Sequence, residues 1–273
     1  MYLTIERMNG NKYILSKETG YFILYFRPES LQVNVNYEYI DGRDIPVEVS
    51  SQPQRRKIPM ALLIESYDFP DFALKRNEFF QILDSREPFY VTVDTEPGKR
   101  WLVRADSFTP DHITTKVGRC NITLQCVSPY AESIGTTLDP MTFDSELWQI
   151  GQGLIAEDML YKFSVTSFQV YNAGDVAINP KEPRMPLVIR VYGVTQNLSI
   201  TNRTTGDVWQ YTGETTASDV IELKGVRSLK NGVSIFGNTN YKLINIATGW
   251  NDFVIGGVTG PFNIEFDFRF YYL

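Results

Sequence analysis

At 273 residues, with 43% hydrophobic and 21% charged side chains, the chain is long enough for two domains that each bury a core without disulfides or metals. Its 26 basic and 32 acidic residues leave a net charge of −6, which offers no attraction to nucleic-acid phosphates or anionic lipid. No run approaches the roughly 20 apolar residues of a spanning helix, and the first 15 residues lack the basic start and apolar run of a secretory signal, so the expectation is a soluble protein made in the cytoplasm.

Phe and Tyr number 17 and 16, an enrichment that favours strands. Strands are predicted over 13–15, 22–26, 31–39 and 58–64. In 31–39, Leu31, Val33, Val35, Tyr37 and Tyr39 alternate with Gln32, Asn34, Asn36 and Glu38, which predicts one buried and one wet face. A helix is predicted to start near Asp68-Phe69-Pro70 and end near Asp84, because an acidic residue followed by an early proline marks a helix start. Ala73, Phe72, Phe79, Phe80 and Leu83 fall on one side at helical spacing, with Lys75, Arg76 and Glu78 outward. Strands resume over 89–93, 101–105 and 118–127, with Glu96-Pro97-Gly98-Lys99 as the hairpin turn between the first two.

Periodicity lapses over 128–152, and the domains are expected to span 1–140 and 141–273. The second part reads as short strands at 164–171, 187–192, 198–202, 208–211, 220–223, 233–235, 243–246, 252–255 and 262–272. Thr205-Gly206 and Asn231-Gly232 supply turns, and the spacing suits a β-sandwich. Each part nets −3, so neither is a charged partner surface.

The residues offer little chemistry. His112, the only histidine, sits in the turn Thr109-Pro110-Asp111-His112; a general base beside Asp111 is one reading and an exposed turn residue the plainer one. Cys120 and Cys126 share one face of a strand about 20 Å apart, too far to pair, and two buried thiols are expected. With one histidine and two cysteines a zinc site lacks ligands. No phosphate loop occurs, and Gly256-Gly257 leads into Val258-Thr259-Gly260-Pro261, read as a hairpin loop. Carboxylates in the junction (Asp144, Glu146, Glu157, Asp158) name no glycosidase pair and read as solvated charge. Trp209, Tyr211 and Trp250 could form a sugar platform, though aromatics at strand spacing more often fill a core. Arg55-Arg56-Lys57 could bind phosphate, and reads rather as a subunit contact or a solvated approach to the next strand. No catalytic, cofactor or metal residues are assigned.

Along almost the whole length the order of segments resembles the distal tail protein family of siphophages. RRKIPMALLI, KRNEFFQIL, REPFYVTVDTEPGKRWLVRADSF and GRCNITLQCVSPYAES carry the likeness in the first part. FQVYNAGDVAINPKEPRMPLVIRVYG, LSITNRTTGD, DVIELKG and INIATGWNDFVIGG carry it in the second. The resemblance implies a mainly β protein: a sandwich-like, ring-forming N-terminal domain with one α-helix, and a galectin-like C-terminal β-sandwich. It further implies a non-enzymatic homo-hexameric hub at the distal end of the tail, joining the tail tube to the tail-associated fibre or baseplate proteins, with DNA passing through the lumen. Six copies at −6 each would total about −36, a like-charged conduit. A host-wall carbohydrate-binding adhesin and a tail glycoside hydrolase are the alternatives. The second part has no histidine, and Trp250 precedes Asn251 rather than a glycine; binding of galactosides in the galectin manner is therefore not expected.

Overall fold

The computed structural model describes residues 1–142, 146–154 and 159–273. These divide into two compact units, Met1–Ala131 with Leu273, and Glu132–Tyr272. The chain is mainly β.

In the first unit the strands are β1 (Leu3–Arg7), β2 (Lys12–Leu15), β3 (Tyr21–Phe26), β4 (Val33–Glu38), β5 (Val47–Pro53) and β6 (Lys57–Glu65). After α1 (Phe69–Ile82) come β7 (Phe89–Val93), β8 (Lys99–Ala105), β9 (Asp111–His112) and β10 (Val117–Cys126), and β11 (Ala131–Ser133) starts on the last residue of this stretch and continues into the second unit. Seven of them run through an antiparallel sheet in the order β2-β1-β7-β8-β10-β6-β3, and the short β9 joins the same sheet by pairing with β10. Period-two alternation fills its inner face. In β10, Cys120, Ile122, Leu124 and Cys126 are buried, and in β6 Ile58, Met60, Leu62 and Ile64 meet them. The Glu96–Lys99 turn joins β7 to β8 as expected, with the Glu96 and Lys99 amides bonded to the Val93 and Glu96 carbonyls.

The helix also begins where the sequence places it. The Asp68 carboxylate accepts a hydrogen bond from the Asp71 amide at 2.9 Å, and Pro70 occupies the first turn, so one orphan donor is satisfied and a missing one costs nothing. Phe72, Phe79, Ile82 and Leu83 are buried. Phe79 stacks on Tyr21 at 5.3 Å. Phe72 lies over Gly118, where a Cβ would come within 2.2 Å of its ring; glycine there is what lets the helix approach the sheet. Phe80, expected on the buried side, is instead exposed beside Phe108 at 5.5 Å, because the sheet covers only a narrow stripe of α1.

In the second unit the strands are β12 (Lys162–Phe163), β13 (Ser167–Asn172), β14 (Leu187–Asn202), β15 (Asp207–Gln210), β16 (Glu214–Thr215), β17 (Val220–Lys224), β18 (Arg227–Lys230), β19 (Val233–Ser234), β20 (Gly249–Phe268) and β21 (Tyr271–Tyr272). Two of them are much longer than predicted. The stretches 187–192 and 198–202 are one strand, β14. Gly256–Pro261 is no hairpin loop and lies inside β20. Register shifts between Gly193 and Ser199 bend the β14–β20 pair, so the two strands serve two ladders. Gly257 takes φ 78°, and a Cβ there would sit 2.5 Å from the Asn197 and Gln196 carbonyl oxygens. One ladder carries β12, β17, β18 and β19, and the other β13, β15 and β16. Phe253 of the second ladder meets Phe266 of the first at 4.8 Å, and Phe168 meets Phe266 at 5.8 Å, so the ladders face each other as a sandwich.

Residues 243–246 form no strand. Only Ile246 bridges, to Ile178. Side-chain amides do the work of a ladder here: Asn202 Nδ2 donates to the Asn245 carbonyl at 2.8 Å and to Asn251 Oδ1 at 3.0 Å, and Asn251 Nδ2 donates to the Ala247 carbonyl at 2.8 Å. The Asn231-Gly232 turn is as read, with φ 51° and 80°, the pattern a two-residue hairpin needs.

Candidate interaction surface

The sequence alternation in 31–39 does produce a strand, but not a half-buried one. β4 pairs only with β5, as a separate two-stranded ribbon. The register runs Val33↔Pro53, Val35↔Ser51 and Asn36↔Ser50, then shifts so that Tyr37 faces Glu48, leaving Val49 as the extra residue of a bulge. Tyr39, Ile45 and Val49 are 81%, 79% and 61% exposed, and Val33 and Tyr37 are exposed as well. The alternation is genuine; among the described residues no layer covers the apolar side. Its side-chain hydrogen bond is internal, Asn36 Nδ2 to Ser50 Oγ at 3.0 Å. At its base the Gln54 amide donates to the Gln32 carbonyl at 2.7 Å. An isolated two-stranded ribbon is only marginally stable in water, and exposed apolar surface of this kind marks a contact. The strand β5 was not foreseen. Val47 and Val49 alternating with Glu48 was the available signal, diluted by Ser50, Ser51 and Gln52.

The residues singled out in the sequence are dispersed. His112 is exposed, on the short strand β9 and not in a turn, and its ring packs against Phe72 and Phe69 at 3.9 and 4.7 Å. Arg55 and Lys57 are exposed, while Arg56 between them is buried. Arg56 Nε donates to the Glu29 carbonyl at 2.8 Å and Nη1 to the Pro129 carbonyl at 3.4 Å, and the guanidinium lies 4.9 Å over the Trp101 ring. It ties two backbone carbonyls and an indole together inside the fold, and burial lowers its pKa. Cys120 and Cys126 are free and buried, and burial pushes both thiols up to about 12. Glu146 is exposed; Asp144, Glu157 and Asp158 lie outside the described residues. Trp209 and Tyr211 are core residues, with Trp209 Nε1 donating to Ser228 Oγ at 3.2 Å. Of the three platform candidates, only Trp250 reaches the surface. Among the described residues no three His, Cys, Asp or Glu side chains are grouped to hold a metal ion, and no helix is long and apolar enough to cross a membrane.

Residues 4–126 match the family described as phage tail protein RIFT-related domain. No curated protein matches the sequence. Among solved structures, the crystal structure of the Dit protein of phage SPP1, described as a paradigm of the hub adsorption apparatus in phages infecting Gram-positive bacteria, is similar over 99% of both chains, with a TM-score of 0.71 and 13% identity. A chain of the phage p2 baseplate in its activated conformation with Sr aligns over 98% of this chain and 97% of its own, with a TM-score of 0.44 and 10% identity. The resemblance to distal tail proteins read from the sequence therefore holds at the level of fold.

Proposed function

We infer, from residues 4–126 being a phage tail protein RIFT-related domain within a chain that shares its fold end to end with a distal tail protein, that this protein is a structural component of a phage tail tip. In this reading it is not an enzyme. It forms a hexameric ring at the distal end of the tail, between the tube and the fibre or baseplate proteins, with a channel through which DNA passes.

The observation that carries the reading is the ribbon β4–β5. It presents Tyr39, Ile45 and Val49 to solvent inside the family-matched domain and has no partner layer among the described residues of its own chain. A ring needs a surface on each copy that meets a different surface on the next, repeated until it closes, and an uncovered apolar ribbon is such a surface. The acidic balance of −6 per chain suits a lumen along which DNA slides without sticking.

Sedimentation velocity and negative-stain micrographs of the purified protein, alone and with its tail-tube partner, test this. Closed rings of six are expected in at least one condition. A monomer in both would overturn it.

A further inference from the structure

An aromatic site flanked by hydrogen-bonding side chains on the second unit is left over by the tail-tip reading. β13 pairs with the first part of β20 in the register Tyr171↔Trp250, Gln169↔Asp252 and Ser167↔Val254. Opposed residues of an antiparallel pair share a face, and burial shows which one. Phe168, Val170 and Asn172 alternate inward with Asn251, Phe253 and Ile255, so Gln169, Tyr171, Trp250 and Asp252 point outward. Trp250 is 37% exposed, and its ring leans on Tyr171 at 4.8 Å and 50°, which holds the indole at a fixed tilt. One row along, Gln169 Nε2 donates to Asp252 Oδ1 at 2.6 Å. The Arg203 amide bonds to the Asp252 carbonyl at 2.8 Å and the Asp252 amide to Thr204 Oγ1 at 3.0 Å, bringing the exposed Arg203 and Thr204 to the same edge.

We propose that this face is a binding site for a neutral oligosaccharide, with Trp250 as the stacking platform and Asp252, Gln169 and Arg203 as the hydroxyl-binding groups. The apolar face of a pyranose ring stacks on an indole, while its hydroxyls need acceptors and donors close beside it. Asp252 supplies its second carboxylate oxygen, which has no partner among the described residues. Gln169 supplies its amide oxygen, and Arg203 a guanidinium with no ion pair among them. One carboxylate and one guanidinium cancel, which fits an uncharged chain. A sheet face with outward-pointing side chains suits a polymer lying along it rather than an enclosed monosaccharide. A protein partner fits less well, since the centre of a protein contact is depleted of charged residues, whereas here they adjoin the aromatic pair. The site uses no histidine, so the missing galectin motif does not bear on it, and it stands whether or not the chain forms a ring.

Calorimetric titration of the full chain with chitohexaose and with cellohexaose tests the proposal. Saturable millimolar-range binding of at least one is expected. It should weaken by about tenfold or more in Trp250→Ala and in Asp252→Ala, and largely survive in Trp250→Phe. The wild-type complex has a second readout: Trp101, Trp148 and Trp209 are buried, so a saturable change in the quenching of tryptophan fluorescence by acrylamide reports on Trp250. Circular dichroism checks that the variants fold, and the Asp252→Ala result stands if Trp250→Ala does not. No saturable heat with either sugar overturns the proposal, as does binding that Trp250→Ala and Asp252→Ala leave unchanged. Protection of Trp250 by a tail protein with no sugar binding would make the face a protein contact instead.

Discussion

Arg56 shows how a residue's role depends on what its neighbours leave open. In sequence it is the middle of a basic run; in the fold its guanidinium satisfies two backbone carbonyls and covers Trp101. Arg56→Ala strands those acceptors in a poorly solvated spot and removes the packing of the side-chain stem. A loss of about 2 kcal/mol in urea unfolding is expected, with little change in the denaturant slope. Arg55→Ala and Lys57→Ala, at exposed neighbours, should each move stability by less than about 0.5 kcal/mol. The two cysteines give a pH prediction. Burial lifts both thiols from the ordinary 9.0 to about 12, so between these values the folded chain keeps protons that the unfolded chain has released. The unfolded state then binds fewer protons, and stability falls as pH rises from about 9 towards 12, with no such contribution below about 8. Urea midpoints at pH 8 and pH 10 should show the decline, and a Cys120→Ala/Cys126→Ala chain should show less of it. An equal decline in both chains would refute the assignment to the thiols.

At the scale of elements, the ribbon β4–β5 separates folding from assembly. Tyr39→Asp and Ile45→Asp alter side chains that are about four-fifths exposed, so each should leave the unfolding free energy within about 0.5 kcal/mol of wild type. Assembly should suffer instead, with the concentration for half-association rising by about tenfold or more, read by sedimentation. Variants that melt early, or rings that form unchanged, would remove the ribbon from the contact. The same ribbon marks the limit of what sequence discloses. Alternation in 31–39 reports that a strand has an apolar side; it does not report whether the covering layer belongs to the same chain. α1 was legible because its signals are local: Asp68 at the cap, Pro70 in the first turn and phenylalanines at helical spacing. β14 and β20 were each divided because Gly193, Gly256 and Gly257 look like breaks, whereas in the fold Gly193 and Gly257 take positive φ and let a continuous strand bend. Trp250 was named among three candidates, but Trp209 and Tyr211 share its spacing and not its exposure. Tyr171, Gln169 and Asp252 could join it only through the β13–β20 register, which pairs residues about 80 positions apart.

For the whole molecule, the outstanding proposal is that the two parts fold independently, and residues 132–139 decide where a cut must fall. Within the second unit the Ser133 amide donates to the Phe270 carbonyl at 2.9 Å, and the Phe270 amide donates back to Ser133 Oγ at 3.1 Å. The Thr137 amide donates to the Phe268 carbonyl at 2.9 Å, while Thr137 Oγ1 donates to the Phe266 carbonyl at 2.6 Å and accepts from the Phe268 amide at 3.1 Å. Arg269 Nη1 adds a bond to the Ser133 carbonyl at 2.9 Å. Both Ser133 and Thr137 are buried, so the groups left behind by their removal would lack protein partners beside an aromatic core. At about 0.5–1.5 kcal/mol for each lost bond, cutting at 140 removes several kcal/mol from a domain whose total is of order 5–15 kcal/mol. The fragment 132–273 should therefore unfold cooperatively in urea, with a near-ultraviolet circular dichroism signal from its packed aromatics, and 1–131 should do so separately. The fragment 141–273 should have a clearly lower midpoint or lose that signal. Equal stability of 132–273 and 141–273 would show that the segment contributes nothing; failure of both 1–131 and 132–273 to fold would show that the two parts depend on each other.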